Sequence, residues 1–125
     1  MIKVIKEGLF STIQDSGRFG YKNIGIPVSG AMDQASAKLA NLLLGNDERS
    51  AVLEMTLLGP TLEFMNDTYI SITGADMNPV LNKQKILLNK TLLINKGDIL
   101  CLSHSTNGMR SYLGVKGGFN SETKL

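Results

Sequence analysis

The sequence predicts a mainly-β domain, a barrel or sandwich of short strands with one covering α-helix at about 34–44. Three observations predict it. From Leu53 onward, apolar and polar residues alternate in short runs separated by Gly, Pro and Asn turns. A single segment switches to helical period, with Ala35, Leu39, Leu42 and Leu43 on one face. Between them and the first strands lies Thr12 to Asp33, too long and too glycine-rich for a simple turn. Gly17, Gly20, Gly25 and Gly30 punctuate it, and structureless stretches of this length in compact domains are often functional.

In order along the chain, Val4 to Gln14 reads as one or two strands broken near Gly8, and residues 15 to 31 as the long loop. Asp33 is placed to cap the helix, because its carboxylate can accept the free amide protons of the first turn. Gly45-Asn46 ends it. Leu53, Met55 and Leu57 alternate with Glu54 and Thr56, the pattern of a half-buried strand, and Gly59-Pro60 breaks it. Thr61–Phe64 and Tyr69–Thr73 follow, separated by a turn at Asn66-Asp67. Pro79 blocks simple continuation of the second. Val80–Leu88 reads as a hairpin around Asn82-Lys83. Thr91–Ile94 and Ile99–Leu102 read as another around Lys96-Gly97-Asp98. Ser111–Val115 is the last clear strand, after which Gly117-Gly118 loosens the chain.

Composition narrows the function classes. In 125 residues, 42% hydrophobic and 19% charged residues describe a globular domain rather than a disordered one. The net charge is only +2 and the ten lysines are scattered, so nucleic acid is not an expected partner. Cys101 is the single cysteine, which excludes an internal disulfide and fits a reducing compartment. The start lacks the apolar core of a signal peptide, and the longest apolar runs fall short of a membrane span. The expected location is cytoplasmic, with no membrane partner. One His and one Cys cannot assemble a ligand cluster, so no metal is expected. There is no GxxxxGK[ST] or GxGxxG, so any nucleotide chemistry needs a different site or a partner.

Several residues carry chemical options, each with a structural alternative. Asp15 and Arg18 sit three apart in the glycine stretch. They suit an anion- or amide-binding pair, since arginine offers a planar donor fork, but they equally suit a loop held by its own side chains. Asp76 leaves a strand after Thr73-Gly74-Ala75. It is a candidate general base or polar anchor, with Thr73 binding a substrate oxygen, or a turn aspartate bonding the amides that follow. Asp33 is explained by capping. His104 reads as an exposed loop histidine, Cys101 as a buried inert thiol, and the six methionines as core filler.

A set of these residues resembles one family. It comprises Thr12-Ile13-Gln14-Asp15, Gly17-Arg18, Gly20-Tyr21, Gly25, Pro27, Gly30-Ala31-Met32-Asp33, Leu39-Ala40-Asn41-Leu42-Leu43, Gly45-Asn46, Leu53-Glu54, Gly59-Pro60, Thr73-Gly74-Ala75-Asp76 and Gly117-Gly118-Phe119. They run in order through nearly the whole chain. On them the chain resembles the N-terminal part of the allophanate-hydrolase-subunit-2-like family. That family includes the C component of bacterial 5-oxoprolinase, the KipA antagonist of a sporulation-kinase inhibitor, and part of the carboxyltransferase region of urea carboxylase. Ser16 departs from the apolar residue usual there.

The resemblance implies a cyclophilin-like β-barrel portion, with 1–125 as the first part of a subunit-2-like carboxyltransferase domain and a second half of the module absent. It implies two partners, a KipI-like protein that serves as the B component and a further protein of the A-component type. It also implies a small amide or lactam substrate. ATP is implied at the level of the complex, with biotin only if the activity is carboxyl transfer. The expected activity is ATP-dependent hydrolysis of 5-oxo-L-proline to L-glutamate. The alternatives are KipA-like regulation and biotin-dependent carboxyl transfer to urea or a related amide. Asp76 and Asp15 are then the expected catalytic residues, and Arg18, Tyr21 and Thr73 the expected substrate contacts.

Overall fold

The computed structural model describes residues 2–14 and 31–119. Ten strands and one helix appear there: β1 (Ile2–Lys6), β2 (Phe10–Gln14), α1 (Gln34–Leu43), β3 (Val52–Thr56), β4 (Thr61–Phe64), β5 (Thr68–Gly74), β6 (Val80–Leu81), β7 (Gln84–Lys85), β8 (Thr91–Ile94), β9 (Ile99–Cys101) and β10 (Arg110–Val115). They form two antiparallel sheets, ordered β1-β4-β9-β6-β7 and β2-β3-β10-β5-β8. The core lies between them, where Leu53, Met55, Ile72 and Leu113 of the second sheet share one buried cluster with Leu62 and Leu100 of the first. The mainly-β class with one covering helix is borne out, as are the Asn82-Lys83 hairpin and most strand positions. Both of those turn residues take positive φ, 49° and 70°, the conformation a two-residue antiparallel hairpin requires.

The helix lies across the other face of the second sheet. Its start is capped as expected: Ser36 N donates to Asp33 Oδ1 at 3.1 Å and Ser36 Oγ to Oδ2 at 2.7 Å. Those two bonds, the hydroxyl's first, hold the Asp33 carboxyl below its ordinary value of 3.8. A lowered folded-state pKa means the stabilisation is complete above that value and is lost as pH falls below it. Asp33→Ala is therefore expected to cost about 0.5–2 kcal/mol at neutral pH. Melting both proteins at neutral pH and near pH ~2 checks this, because the gap between them closes in acid.

Which helical face is buried differs from the expectation. Leu39 and Leu42 are 39% and 61% exposed, and Ala35 is exposed, whereas Ala37, Ala40 and Asn41 are buried. The reason is closeness. Ser71 Oγ donates to Ala40 O at 2.7 Å, Thr73 Oγ1 to Ser36 O at 2.7 Å, and Thr91 Oγ1 to Leu43 O at 2.5 Å. Gly114 lies beneath, where a Cβ would come within 3.2 Å of Ala40 O and 2.9 Å of Ser71 Oγ. A helix fastened to a sheet through its own carbonyls puts the small Ala37 and Ala40 at the closest contact, and Leu39 and Leu42 turn outward.

Other expectations are corrected. β3 is buried on both faces rather than one, from Val52 to Met55, because the helix covers what the alternation had assigned to solvent. Leu57 is exposed and outside the strand. Thr91–Ile94 and Ile99–Cys101 do not form a hairpin, since β8 pairs with β5 and β9 with β4 and β6. The Lys96-Gly97-Asp98 turn carries the chain between sheets, held by Asp98 Oδ2 accepting from Asn95 N and by Gly97 N donating to Phe64 O. Gly117 and Gly118, at φ 85° and 79°, turn the chain tightly instead of loosening it, and return Phe119 to pair with Ala51. Cys101 is exposed, not buried, because β9 points Leu100 inward and its neighbours out. Met55 and Met77 fill the core, but Met32 and Met109 are 65% and 52% exposed.

Candidate functional site

Side chains alternate across a strand, so the register assigns the helix-side face of the second sheet. On β10, Tyr112 lies in the small cluster with Val52 and Ala37. Arg110 and Gly114, two residues to either side, share its face. Tyr112 pairs with Glu54 on β3 and Thr73 on β5, and Arg110 pairs with Thr56. Two adjacent rows thus cross the sheet near the start of α1: Thr73–Tyr112–Glu54, and beside it Arg110–Thr56.

Glu54 is 5% exposed. Its Oε2 accepts the Tyr112 phenol at 2.7 Å and the Met32 amide at 2.9 Å. The Tyr112 oxygen in turn accepts the Asp33 amide at 2.9 Å. Burial first, and then donation to Glu54, push the Tyr112 phenol above its ordinary value, so it stays a neutral donor. The chain enters the helix through this pair. Residues 15–30 begin where β2 ends, with Gln14 beside Val52, and rejoin the described structure at Ala31–Asp33, where Glu54 and Tyr112 hold the Met32 and Asp33 amides. Glu54 Oε1 receives no hydrogen bond among the described residues, so the carboxylate keeps acceptor capacity.

Arg110 is half-buried, and its Nε is buried with no hydrogen-bond partner among the described residues. The one ion pair among those residues is elsewhere, Arg49 Nε to Asp47 Oδ1 at 3.7 Å on the surface. Next to Arg110's row the backbone is strained. Leu57 has φ 65°, and Leu58 N donates to Thr56 O at 2.7 Å, closing a three-residue turn. Leu57 N is held by Met109 O at 2.7 Å and its carbonyl by Ser105 N at 2.8 Å. Positive φ at a non-glycine residue costs energy and persists only where neighbours over-determine it, and such residues cluster at functional sites.

Of the residues expected from sequence, Thr73 and Asp76 are described and come to this end of the sheet. Thr73 is fully buried and its hydroxyl donates to Ser36 O, which makes it a fastener of the helix start. Asp76 lies two residues past β5, beyond Ala75, whose amide donates to Arg110 O at 2.8 Å. Its Oδ1 accepts Asn78 N at 2.8 Å, and its own amide donates to Asn107 Oδ1 at 2.9 Å. Its Oδ2 accepts nothing among the described residues. Asp15, Arg18 and Tyr21 lie outside the described residues. His104 is exposed, as expected. Lys116 caps the far end of the helix, with Nζ donating to Leu44 O at 2.7 Å. Sequence reasoning missed Glu54, Tyr112 and Arg110. The signal available for Glu54 was a charged residue between Leu53 and Met55 in a sheet whose second face a helix had to cover.

Comparison with known proteins extends this geometry. The family model for the carboxyltransferase domain, subdomains A and B, matches residues 24–125. The C component of 5-oxoprolinase from Escherichia coli is 39% identical over 120 residues, which cover 96% of this chain and 39% of that protein. Urea amidolyase from Saccharomyces cerevisiae is 41% identical over 95% of this chain but 6% of its own length. The crystal structure of Kluyveromyces lactis urea carboxylase superposes with a TM-score of 0.84 at 41% identity, over 94% of this chain and 10% of that one. The chain thus spans about two fifths of the E. coli relative and far less of the fungal ones. With the family model matched across most of its length, the chain belongs to the family of carboxyltransferase domains, subdomains A and B.

Proposed function

We propose that this chain is the first part of the C-type component of an ATP-dependent 5-oxoprolinase, which opens 5-oxo-L-proline to L-glutamate. The observation that carries the reading is the 39% identity with the E. coli 5-oxoprolinase component across 96% of the chain. A lactam resists water because nitrogen donates into the carbonyl. ATP, used at the level of a complex with A-type and B-type partner components, supplies the activation. This chain's part is to hold the ring and place a base. Asp76 lies at the sheet end with one carboxylate oxygen unbonded among the described residues, and would orient or deprotonate the attacking water, with Asp15 assisting. Arg18 would grip the substrate carboxylate and Tyr21 line the ring. Thr73 serves from beneath by fixing the helix start.

Arg18→Ala in the assembled complex is expected to abolish 5-oxoproline turnover while leaving assembly intact. Coupled ATPase and glutamate assays, alongside size-exclusion of the complex, check it. Normal turnover would remove Arg18 from the site.

A second reading, biotin-dependent carboxyl transfer to urea or a related amide, is supported by the 41% identity with yeast urea amidolyase. Avidin separates the two. It blocks transfer from a biotinylated carrier and leaves lactam hydrolysis untouched.

A further inference from the structure

We propose that Arg110 is a receptor for the carboxylate of a small ligand that also presents an amide N–H, the N–H being accepted by Glu54. This deepens the functional reading above and rests on it for the ligand's identity.

A buried guanidinium N–H without a partner is costly, because the group has given up water and received nothing. Such a group calls for an explanation, and a ligand that arrives to satisfy it is one. The described protein offers Arg110 no carboxylate, although Glu54 lies one row away on the paired strand and on the same face. Diagonal neighbours of this kind sit roughly 7–8 Å apart at Cα, within reach of side chains as long as Arg and Glu. Glu54 is instead turned toward the helix entrance, where Oε2 is occupied by Tyr112 and Met32 and Oε1 is left open among the described residues. Two opposite charges on neighbouring rows thus form no ion pair with each other, and among the described residues one has a donor and the other an acceptor without a partner.

The backbone that carries Arg110 is fixed on both sides. Arg110's own carbonyl is fixed by the Ala75 amide, and the residue before it holds the strained Leu57 amide. The strain belongs to the strand ends that aim this row, and it is compensated by bonds from both sides. A ligand with a carboxylate beside an amide N–H is complementary to that pair: bidentate recognition by the guanidinium and one hydrogen bond to Glu54.

The test uses the complex assembled with wild-type chain, Arg110→Met or Arg110→Lys. Calorimetry measures binding of 5-oxo-L-proline and of 2-pyrrolidinone, the same lactam without its carboxylate. Arg110→Met is expected to weaken 5-oxoproline by about 10- to 100-fold, leave 2-pyrrolidinone unchanged, and leave the melting temperature unchanged or higher, since the guanidinium donates no hydrogen bond among the described residues. Arg110→Lys falls between, as a point charge without the fork. Unchanged 5-oxoproline binding in Arg110→Met, equal loss of both lactams, or a lowered melting temperature with affinity intact would each overturn the proposal, the last by giving the guanidinium a structural partner. Turnover that ignores Arg110 defeats this inference alone. Arg110-dependent binding without turnover defeats only the 5-oxoprolinase reading.

Discussion

Glu54→Ala is expected to destabilise the protein by about 3–5 kcal/mol. The carboxylate is the acceptor for the Tyr112 phenol and the Met32 amide, and through Tyr112 it orders the oxygen that accepts the Asp33 amide. Removing it strands the buried Tyr112 phenol at about 1–3 kcal/mol, takes the acceptor from the part-buried Met32 amide, and opens a void under the helix start. Glu54→Gln is the control. Its amide oxygen keeps both acceptor contacts and loses only the charge-assisted share of their strength, so about 1 kcal/mol is expected. Tyr112→Phe, which keeps the ring and removes the hydroxyl, is expected to fall between them. Urea denaturation of the purified proteins measures all three. A Glu54→Ala protein within about 1 kcal/mol of wild type would mean that the pair does not brace the helix entrance.

The sequence was legible where local chemistry decides. Asn82-Lys83 turns a hairpin and Asp33 caps a helix because those outcomes depend on a few adjacent residues. It was less legible where a partner surface decides. Periodicity tells which residues share a face and says nothing about what covers it. Leu39 and Leu42 form the most apolar helical face, yet Ala37 and Ala40 are buried, because hydroxyls from Ser71 and Thr73 draw the backbone against the sheet. Glu54 looked like the solvent side of an alternating strand for the same reason. The Lys96-Gly97-Asp98 turn has hairpin composition, but a turn fixes only a change of direction. The sheets that β8 and β9 join are set by β5 and β4, from distant parts of the chain. For the site, the motif Thr73-Gly74-Ala75-Asp76 pointed to the end of the sheet where Glu54, Tyr112 and Arg110 gather, and Arg110 carried no local signal at all. Its distinction is a missing partner, which only three-dimensional placement reveals.

That end of the sheet depends on one glycine, and Gly74→Ala is expected to cost at least about 3 kcal/mol. Gly74 has φ 85°, and a Cβ there would meet Arg110 O at 2.6 Å, with Tyr112 Cδ2 at 3.3 Å and Ser111 Cα at 3.4 Å. The nearest atom is strand backbone, which cannot rotate away as a side-chain tip would. Relief requires β5 and β10 to separate, and with them the bond from Ala75 N to Arg110 O at 2.8 Å. Gly97 isolates the two causes, since its φ of 92° is as unfavourable for alanine but a Cβ there meets nothing within 4 Å. Gly97→Ala is therefore expected to lose only the conformational part, about 1–2 kcal/mol. Denaturation of both variants gives the comparison, and the excess at Gly74 measures how tightly the strand ends are packed around Arg110. Equal losses would place the whole cost in backbone conformation. The row would then have slack, and the position of the Arg110 backbone would have to be set by something other than the β5–β10 contact.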